Sequence, residues 1–233
     1  MFIKYACHVS SQRIICWEVF AWGYEVEPFF FEEWITKKER GKMQQSKKTQ
    51  KLVILGMLSS IAYILMMINF PIPGLPPFLT IDFSEIPALV AALVFGPMAA
   101  VIVEGIKNLL NYLIQGSATG VPVGQVANFV AGLLFVLPVS YMFRRFKTAK
   151  GVTIGLVTGT VVMTVLMAVL NYYVFLPAYT IFLQSPEMSS EQARQYIVAG
   201  ILPFNLIKGA ATGVIFVLLF SKMKQWITRR VAV

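Results

Sequence analysis

The chain has 233 residues, 57% of them hydrophobic and 13% charged, with a mean hydropathy of +0.70 and a formal net charge of +9. A soluble domain carries about 25% charged residues, so this chain cannot hide its apolar surface in one water-soluble core, and a polytopic membrane protein is expected. The positive balance then reads as a topology signal and not as a nucleic-acid footprint.

Residues 1 to 42 open with M-F-I-K-Y-A-C-H-V-S-S-Q-R-I-I-C-W-E-V-F-A-W-G-Y, where charges and His8 interrupt the apolar run before the ~20 residues a span requires. The basic start, apolar centre and small-residue cleavage site of a signal peptide are missing. F-E-E-W-I-T-K-K-E-R-G-K then turns polar and charged, and Met43 begins M-Q-Q-S-K-K-T-Q-K, a normal start for a short basic leader. Residues 1 to 42 are therefore expected to be an upstream extension or a loosely held amphipathic tail, with 43 to 233 as the membrane domain. His8 is the sole histidine, and Cys7 and Cys16 are the sole cysteines. No cysteine framework or cysteine metal site reaches the membrane body.

Six apolar segments follow: Leu52 to Ile68, Glu85 to Phe95, Pro97 to Ile114, Val123 to Phe143, Val152 to Pro177 and Gly200 to Ser221. They are too long and continuous for barrel strands, so the expected fold is an all-α bundle of six transmembrane helices. The second is short and needs Phe83 and Ser84 or its neighbours to cover its ends. Gly96–Pro97 forces a tight turn into the third.

Between the first and second segments lies N-F-P-I-P-G-L-P-P-F-L-T-I-D-F-S-E-I-P, from Asn69 to Pro87. Its five prolines and one glycine cannot continue either flanking helix. Phe70, Ile72, Leu75, Phe78, Leu79, Ile81 and Phe83 make it too apolar for a solvated turn. It suits either the wall of a pocket at a membrane face or a connector lying in the bilayer interface.

Charge sets the orientation. Lys37, Lys38, Arg40, Lys42, Lys47, Lys48 and Lys51 precede the first span. Arg144, Arg145, Lys147 and Lys150 separate the fourth and fifth, and Lys222, Lys224, Arg229 and Arg230 follow the sixth. With six spans, all three clusters fall on one side, which the positive-inside rule makes cytoplasmic. Asp82, Glu85, Glu187 and Glu191, with Arg194, fall on the other. Both termini are expected inside and the Pro-rich loop outside.

This topology gathers scattered polar residues. Gln125 and Asn128 start the fourth span, Asn171 lies near the outer end of the fifth, and Asn205 and Lys208 lie near the outer end of the sixth. At ~1.5 Å per residue they all sit within roughly 10 Å of the outer surface, beneath the loop. Polar groups at that depth must face one another, as in interhelical hydrogen bonding, or a ligand. Amides and a lysine suit a neutral polyhydroxylated chain. The loop's apolar residues, with Tyr172 and Tyr173, suit a flat heteroaromatic surface. Glu104 and Lys107, three apart on one helix, are expected to neutralise each other.

The blocks F-P-I-P-G-L-P-P-F-L-T-I-D-F-S-E-I-P-A-L, F-G-P-M-A-A, E-G-I-K-N-L-L-N-Y-L, A-N-F-V-A-G, L-N-Y-Y-V-F-L-P-A-Y and I-L-P-F-N-L-I-K-G occur in this order. Together they resemble the riboflavin-specific S components of energy-coupling-factor (ECF) transporters, from Met43 to about Lys224. The resemblance implies capture of riboflavin, as a transported ligand and not a cofactor, at the outer face of a bacterial cell membrane. Leu79, Thr80 and Asp82 of the loop, with Asn128, Asn171, Asn205 and Lys208, would contact it. It also implies a transmembrane coupling protein and two ATPase subunits as partners, since the chain has no G-x-x-x-x-G-K-[ST] phosphate loop of its own. Transport would proceed by the whole S component tilting in the membrane lipid. Where such proteins carry an Ala-xxx-Ala docking pattern on the first helix, this chain has Gly56-xxx-Ser60, with Ala62 nearby; small residues allow the same close helix approach. An S component or small carrier for another vitamin or a flavin relative is the alternative. A membrane enzyme finds few nucleophiles or acid–base pairs here.

Overall fold

The computed structural model describes residues 5–10, 13–18, 29–73, 79–117, 119–183 and 189–231, with side-chain surroundings at residue 45 and between 48 and 222. It divides into two units, Met1–Gln50 and Lys51–Val233. In the first, β1 (Tyr5–Ser10) pairs antiparallel with β2 (Arg13–Glu18), placing Cys7 opposite Cys16. Helix α1 (Phe29–Met67) begins in this unit and ends in the second.

The second unit is an all-α bundle. After α1 come α2 (Glu85–Phe95), α3 (Pro97–Gln115), α4 (Val123–Phe146), α5 (Ala149–Leu170), α6 (Leu176–Leu183), α7 (Ser190–Tyr196) and α8 (Leu202–Val231). π-helical segments, Asn171–Phe175 and Ile197–Ile201, join α5 to α6 and α7 to α8 without a break. Among the described residues six helical rods result, matching the six apolar segments, though three are longer than the apolar runs alone indicate. The fifth extends to Leu183, the sixth starts at Ser190, and α1 begins far ahead of Leu52. Among the described residues, Lys48–Met67, Val123–Phe146, Ala149–Leu183 and Ser190–Lys222 are long and apolar enough to cross a bilayer. The chain is a multi-pass membrane protein. Helix α2 is too short to span; α3 carries Glu104, Lys107, Asn108 and Asn111 on its buried face.

Sequence explains the packing. Ala88, Ala91 and Ala92 of α2 are fully buried, as is Leu89, and the three alanines let α3, α4 and α8 close around a short rod. Gly96 ends α2 at φ +100°, a left-handed conformation that glycine tolerates, and Pro97 starts α3 where its missing N–H is not needed. The most extensive helix pairing joins α4 and α5. There Gly151, Gly155 and Gly159 form a seam one turn apart; a Cβ on Gly155 would lie 2.7 Å from the Val139 Cα.

The two π segments share a sequence context. The Leu176 N–H reaches the Asn171 carbonyl and the Leu202 N–H reaches the Ile197 carbonyl, each five residues back. Each bonded leucine precedes a proline, Pro177 or Pro203, which has no N–H to give the preceding turn. The wide turn accommodates that loss and re-aims the residues beside it.

The Pro-rich loop is pinned at its base, where β3 (Phe70–Pro71) pairs antiparallel with β4 (Thr80–Ile81). Ile72, Leu79, Ile81 and Phe83 are half-buried, whereas Phe70 is 56% exposed. Pairing with Ile81 fixes its backbone at the loop's edge, away from the core. Leu75 and Phe78 lie outside the described residues.

Candidate functional site

At the loop end of the bundle the second unit encloses a cavity of about 300 Å³. Its walls come from six places in the chain. Met66 and Asn69 close one side, and Leu79, Thr80 and Asp82 arrive from the loop. Asn111 and Gln115 come from the end of α3, and Gln125, Asn128 and Ala131 from the start of α4. Met167 and Asn171 enter from α5 and its π segment, and Tyr179 from α6. Ile201, Phe204, Asn205 and Lys208 complete the ring from the last rod. All seven residues expected to contact a ligand — Leu79, Thr80, Asp82, Asn128, Asn171, Asn205 and Lys208 — therefore line one space.

The floor is ionic. Lys208 Nζ lies 2.9 Å from Glu85 Oε1 and donates to Asp82 Oδ2 at 3.2 Å and to Asn128 Oδ1 at 3.1 Å. Behind it, Lys107 Nζ lies 2.9 Å from Glu104 Oε2 and 3.6 Å from Glu85 Oε1, and donates to Ser84 Oγ at 2.7 Å. The Ser84 hydroxyl donates in turn to Asp82 Oδ1, which also accepts the Ser84 N–H at 2.9 Å. Glu85 thus bridges both lysines. Charges this deep persist only when paired and hydrogen-bonded. Burial works against the Asp82 carboxylate, but Lys208, Lys107 and the Ser84 hydrogen bonds hold its carboxyl below the ordinary 3.8. Gly132 makes room for the cluster: a Cβ there would lie 2.6 Å from the Glu104 carboxyl carbon.

Above the floor the lining is mostly amide. Asn128 donates to Asn108 Oδ1 at 3.2 Å, and Asn108 to the Glu104 carbonyl at 2.9 Å. Asn171 donates to the Met167 carbonyl at 2.7 Å and Asn205 to the Ile201 carbonyl at 2.9 Å, leaving each Oδ1 as an acceptor for a guest. The Asn205 acceptor is the carbonyl that ends the second π segment, and Asn171 begins the first. Leu79, Met167, Ile201 and Phe204 supply apolar surface beside these groups. The site can desolvate a flat apolar body while offering donors and acceptors to a neutral polar one. No group of His, Cys, Asp and Glu among the described residues is placed to hold a metal.

The family model for the ECF transporter substrate-specific component matches residues 50–220. The chain belongs to that family. This S component is 55% identical over 183 residues to the riboflavin transporter FmnP of Bacillus subtilis (strain 168), covering 78% of this chain and 96% of that protein. The riboflavin transporter RibU of Staphylococcus aureus (strain TCH60) is 42% identical over 187 residues, covering 80% and 95%. A solved structure described as the S component of a bacterial ECF transporter superposes with a TM-score of 0.66 at 39% identity, covering 77% of this chain and 98% of that one. The relatives are named transporters, not enzymes.

Other placements differ from expectation. Tyr173 is 72% exposed and stacks edge-to-face on Tyr172, 4.8 Å between centroids; neither lines the cavity. Tyr179, one helix further on, takes that position. Glu104 and Lys107 do pair, but as part of a five-residue cluster and not as an isolated couple. Asp82 and Glu85 belong to that cluster too, at 5% and 1% exposure, so they are not solvent-facing counterparts to the basic loops. Gly56 and Ser60 lie on the exposed face of α1, whereas Ala62 is fully buried and does not share it. The missed lining residues had a readable signal. Asn111 and Gln115 follow Lys107 four and eight residues on, along the same helix face.

Proposed function

We propose that this S component binds riboflavin in the loop-end cavity and carries it across the bacterial cell membrane. The observation that carries the reading is the convergence of Asp82, Asn128, Asn171, Asn205 and Lys208 from four separate elements on one cavity, in a chain whose close relatives are named riboflavin transporters. The flavin ring would lie against the apolar wall, and the acceptors of Asn171 and Asn205 with the Lys208–Asp82–Asn128 group would read its polar atoms. Leu79 and Thr80 would close the loop side. The function resides in residues 43 to 233, and 1 to 42 lie ahead of it.

The basic clusters support an orientation with the loop outside and both termini in the cytoplasm. Energy would come from a transmembrane coupling protein and two ATPase subunits. The exposed small residues Gly56 and Ser60 would let the coupling protein approach α1 closely, and the S component would tilt in the lipid to present its cavity inward.

The test is a riboflavin-fluorescence titration of the purified chain and of Asn171→Ala and Asn205→Ala. Each variant leaves a ligand polar atom without its partner, about 1–3 kcal/mol, so each is expected to weaken binding roughly five- to 150-fold. Unchanged affinity in both would move the site elsewhere.

A further inference from the structure

We propose that Lys51 and Arg144 form a site for the headgroup of an anionic phospholipid, at the end of the bundle opposite the cavity. The two cations come from rods far apart in sequence and converge on neighbouring residues where α2 turns into α3. Lys51 Nζ lies 5.9 Å from the centroid of the Phe95 ring. The Arg144 guanidinium lies against Gly96, so close that a Cβ there would meet Nη2 at 2.5 Å and Cζ at 3.2 Å. Both side chains are exposed. Neither forms an ion pair or donates a side-chain hydrogen bond among the described residues, where every ion pair belongs to the cluster around Lys107 and Lys208. The ring face and the negative end of the α2 dipole answer part of each charge. They leave the N–H donors of the ammonium and the guanidinium unused, and a phosphate is the group those donors fit.

Depth and surroundings select a phospholipid. Lys51 lies in the first turn of the span Lys48–Met67 and Arg144 in the last turn of Val123–Phe146, which puts both at headgroup level. Arg145, Lys147, Lys150 and Lys222 stand beside the same span ends, exposed and likewise without an ion pair among the described residues. The face is basic throughout and favours an anionic lipid over a neutral one. From the junction inward, Met98, Ile102, Ile106, Leu109 and Leu113 form an exposed apolar stripe along α3. It runs about 22 Å, more than the ~15 Å depth of one leaflet's hydrocarbon. Cations above an apolar stripe match the two halves of one amphiphile. A free phosphate would use the cations alone.

Native mass spectrometry of the full chain in detergent, titrated with phosphatidylglycerol or with phosphatidylcholine, reads the affinity of the first lipid bound. The parent should take phosphatidylglycerol more tightly, and an excess of inorganic phosphate should not displace it. One cation at a membrane surface is worth about fivefold in affinity, so Lys51→Gln and Arg144→Gln should each weaken phosphatidylglycerol by about that factor and leave phosphatidylcholine unchanged. Arg145→Gln removes the same charge from the next position and should leave both lipids at their parent affinities. All three side chains are exposed, so the variants keep the core intact. Equal affinity of the parent for the two lipids would overturn the site, as would a loss in Arg145→Gln as large as in Arg144→Gln, the mark of a diffuse basic face. Displacement by inorganic phosphate would overturn the lipid in favour of a free anion. Phosphatidylglycerol affinity unchanged in both Lys51→Gln and Arg144→Gln would overturn it too, and leave the two cations to the end of α2 or to an acidic protein partner.

Discussion

Replacing Lys208 with methionine removes a charge and keeps most of the side-chain volume. Its Nζ lies 2.9 Å from Glu85 Oε1, 3.2 Å from Asp82 Oδ2 and 3.1 Å from Asn128 Oδ1, all buried, so the variant strands two carboxylates and an amide oxygen. Breaking one side of a buried ion pair costs about 3–5 kcal/mol, mostly from the charge left behind. At roughly 2–4 °C per kcal/mol for a chain of this size, the unfolding midpoint should fall by roughly 6–20 °C. The decisive comparison is Lys208→Met combined with Glu85→Gln. That double variant removes one stranded charge but also frees Lys107 from its 3.6 Å contact with Glu85, leaving Lys107 with Glu104 at 2.9 Å. It should therefore regain part of the loss and be more stable than the single variant. Thermal unfolding in detergent, followed by aggregation or intrinsic fluorescence, reads both. A single variant melting within a degree or two of the parent, or a double variant destabilised by the sum of its parts, would refute the view that the cluster acts as one unit.

Three further outcomes follow from the same geometry. Gly155→Leu should destabilise the bundle by about 1–3 kcal/mol or more, because any Cβ there meets the α4 backbone at Val139; a parent-like melting curve would contradict the glycine seam. The Asp82 carboxyl is held below 3.8 in the folded chain, so its stabilisation is complete above that value and is lost as pH falls through the lowered one. The difference in melting temperature between the parent and Asp82→Asn should be constant from about pH 7 to 5 and shrink below about pH 4; a gap that keeps its pH 5 size down to pH 3 would be inconsistent with it. Finally, Lys208 is the one cation lining the cavity among the described residues, and two carboxylates already share it. Riboflavin phosphate should therefore bind at least about tenfold more weakly than riboflavin, a cost in line with a charge brought in unpaired. Equal affinities by competition titration would show that the cluster opens to accept an anion.

The outline of this bundle is readable in the sequence because apolar runs of spanning length have few alternatives in lipid. The start of α2 at Glu85 and of α4 at Val123 are visible where a proline or glycine stops the preceding rod. The extensions are not. Residues from Ala178 to Leu183 and from Ser190 to Ala199 mix polar and apolar groups, and only the π turns ahead of Pro177 and Pro203 reveal that the rods continue through them. The site was legible where polarity was anomalous, as at Asn171, Asn205 and Lys208, each costly at its depth. Tyr179 was not, because an aromatic in an apolar run carries no such anomaly, and the choice between it and Tyr173 depends on helical phase through a π turn. The reach of Glu85 to both lysines is tertiary: spacing alone pairs Glu104 with Lys107 and says nothing of a carboxylate on the neighbouring rod.

The central claim is that the loop-end cavity holds riboflavin, and the most direct measurement is the absorbance spectrum of the chain purified in detergent from cells grown in rich medium. The account predicts a yellow protein with a flavin spectrum at about one ligand per chain, released on denaturation and absent from a variant lacking both Asn171 and Asn205 side-chain amides. A colourless preparation that also fails to quench the fluorescence of added riboflavin would contradict it.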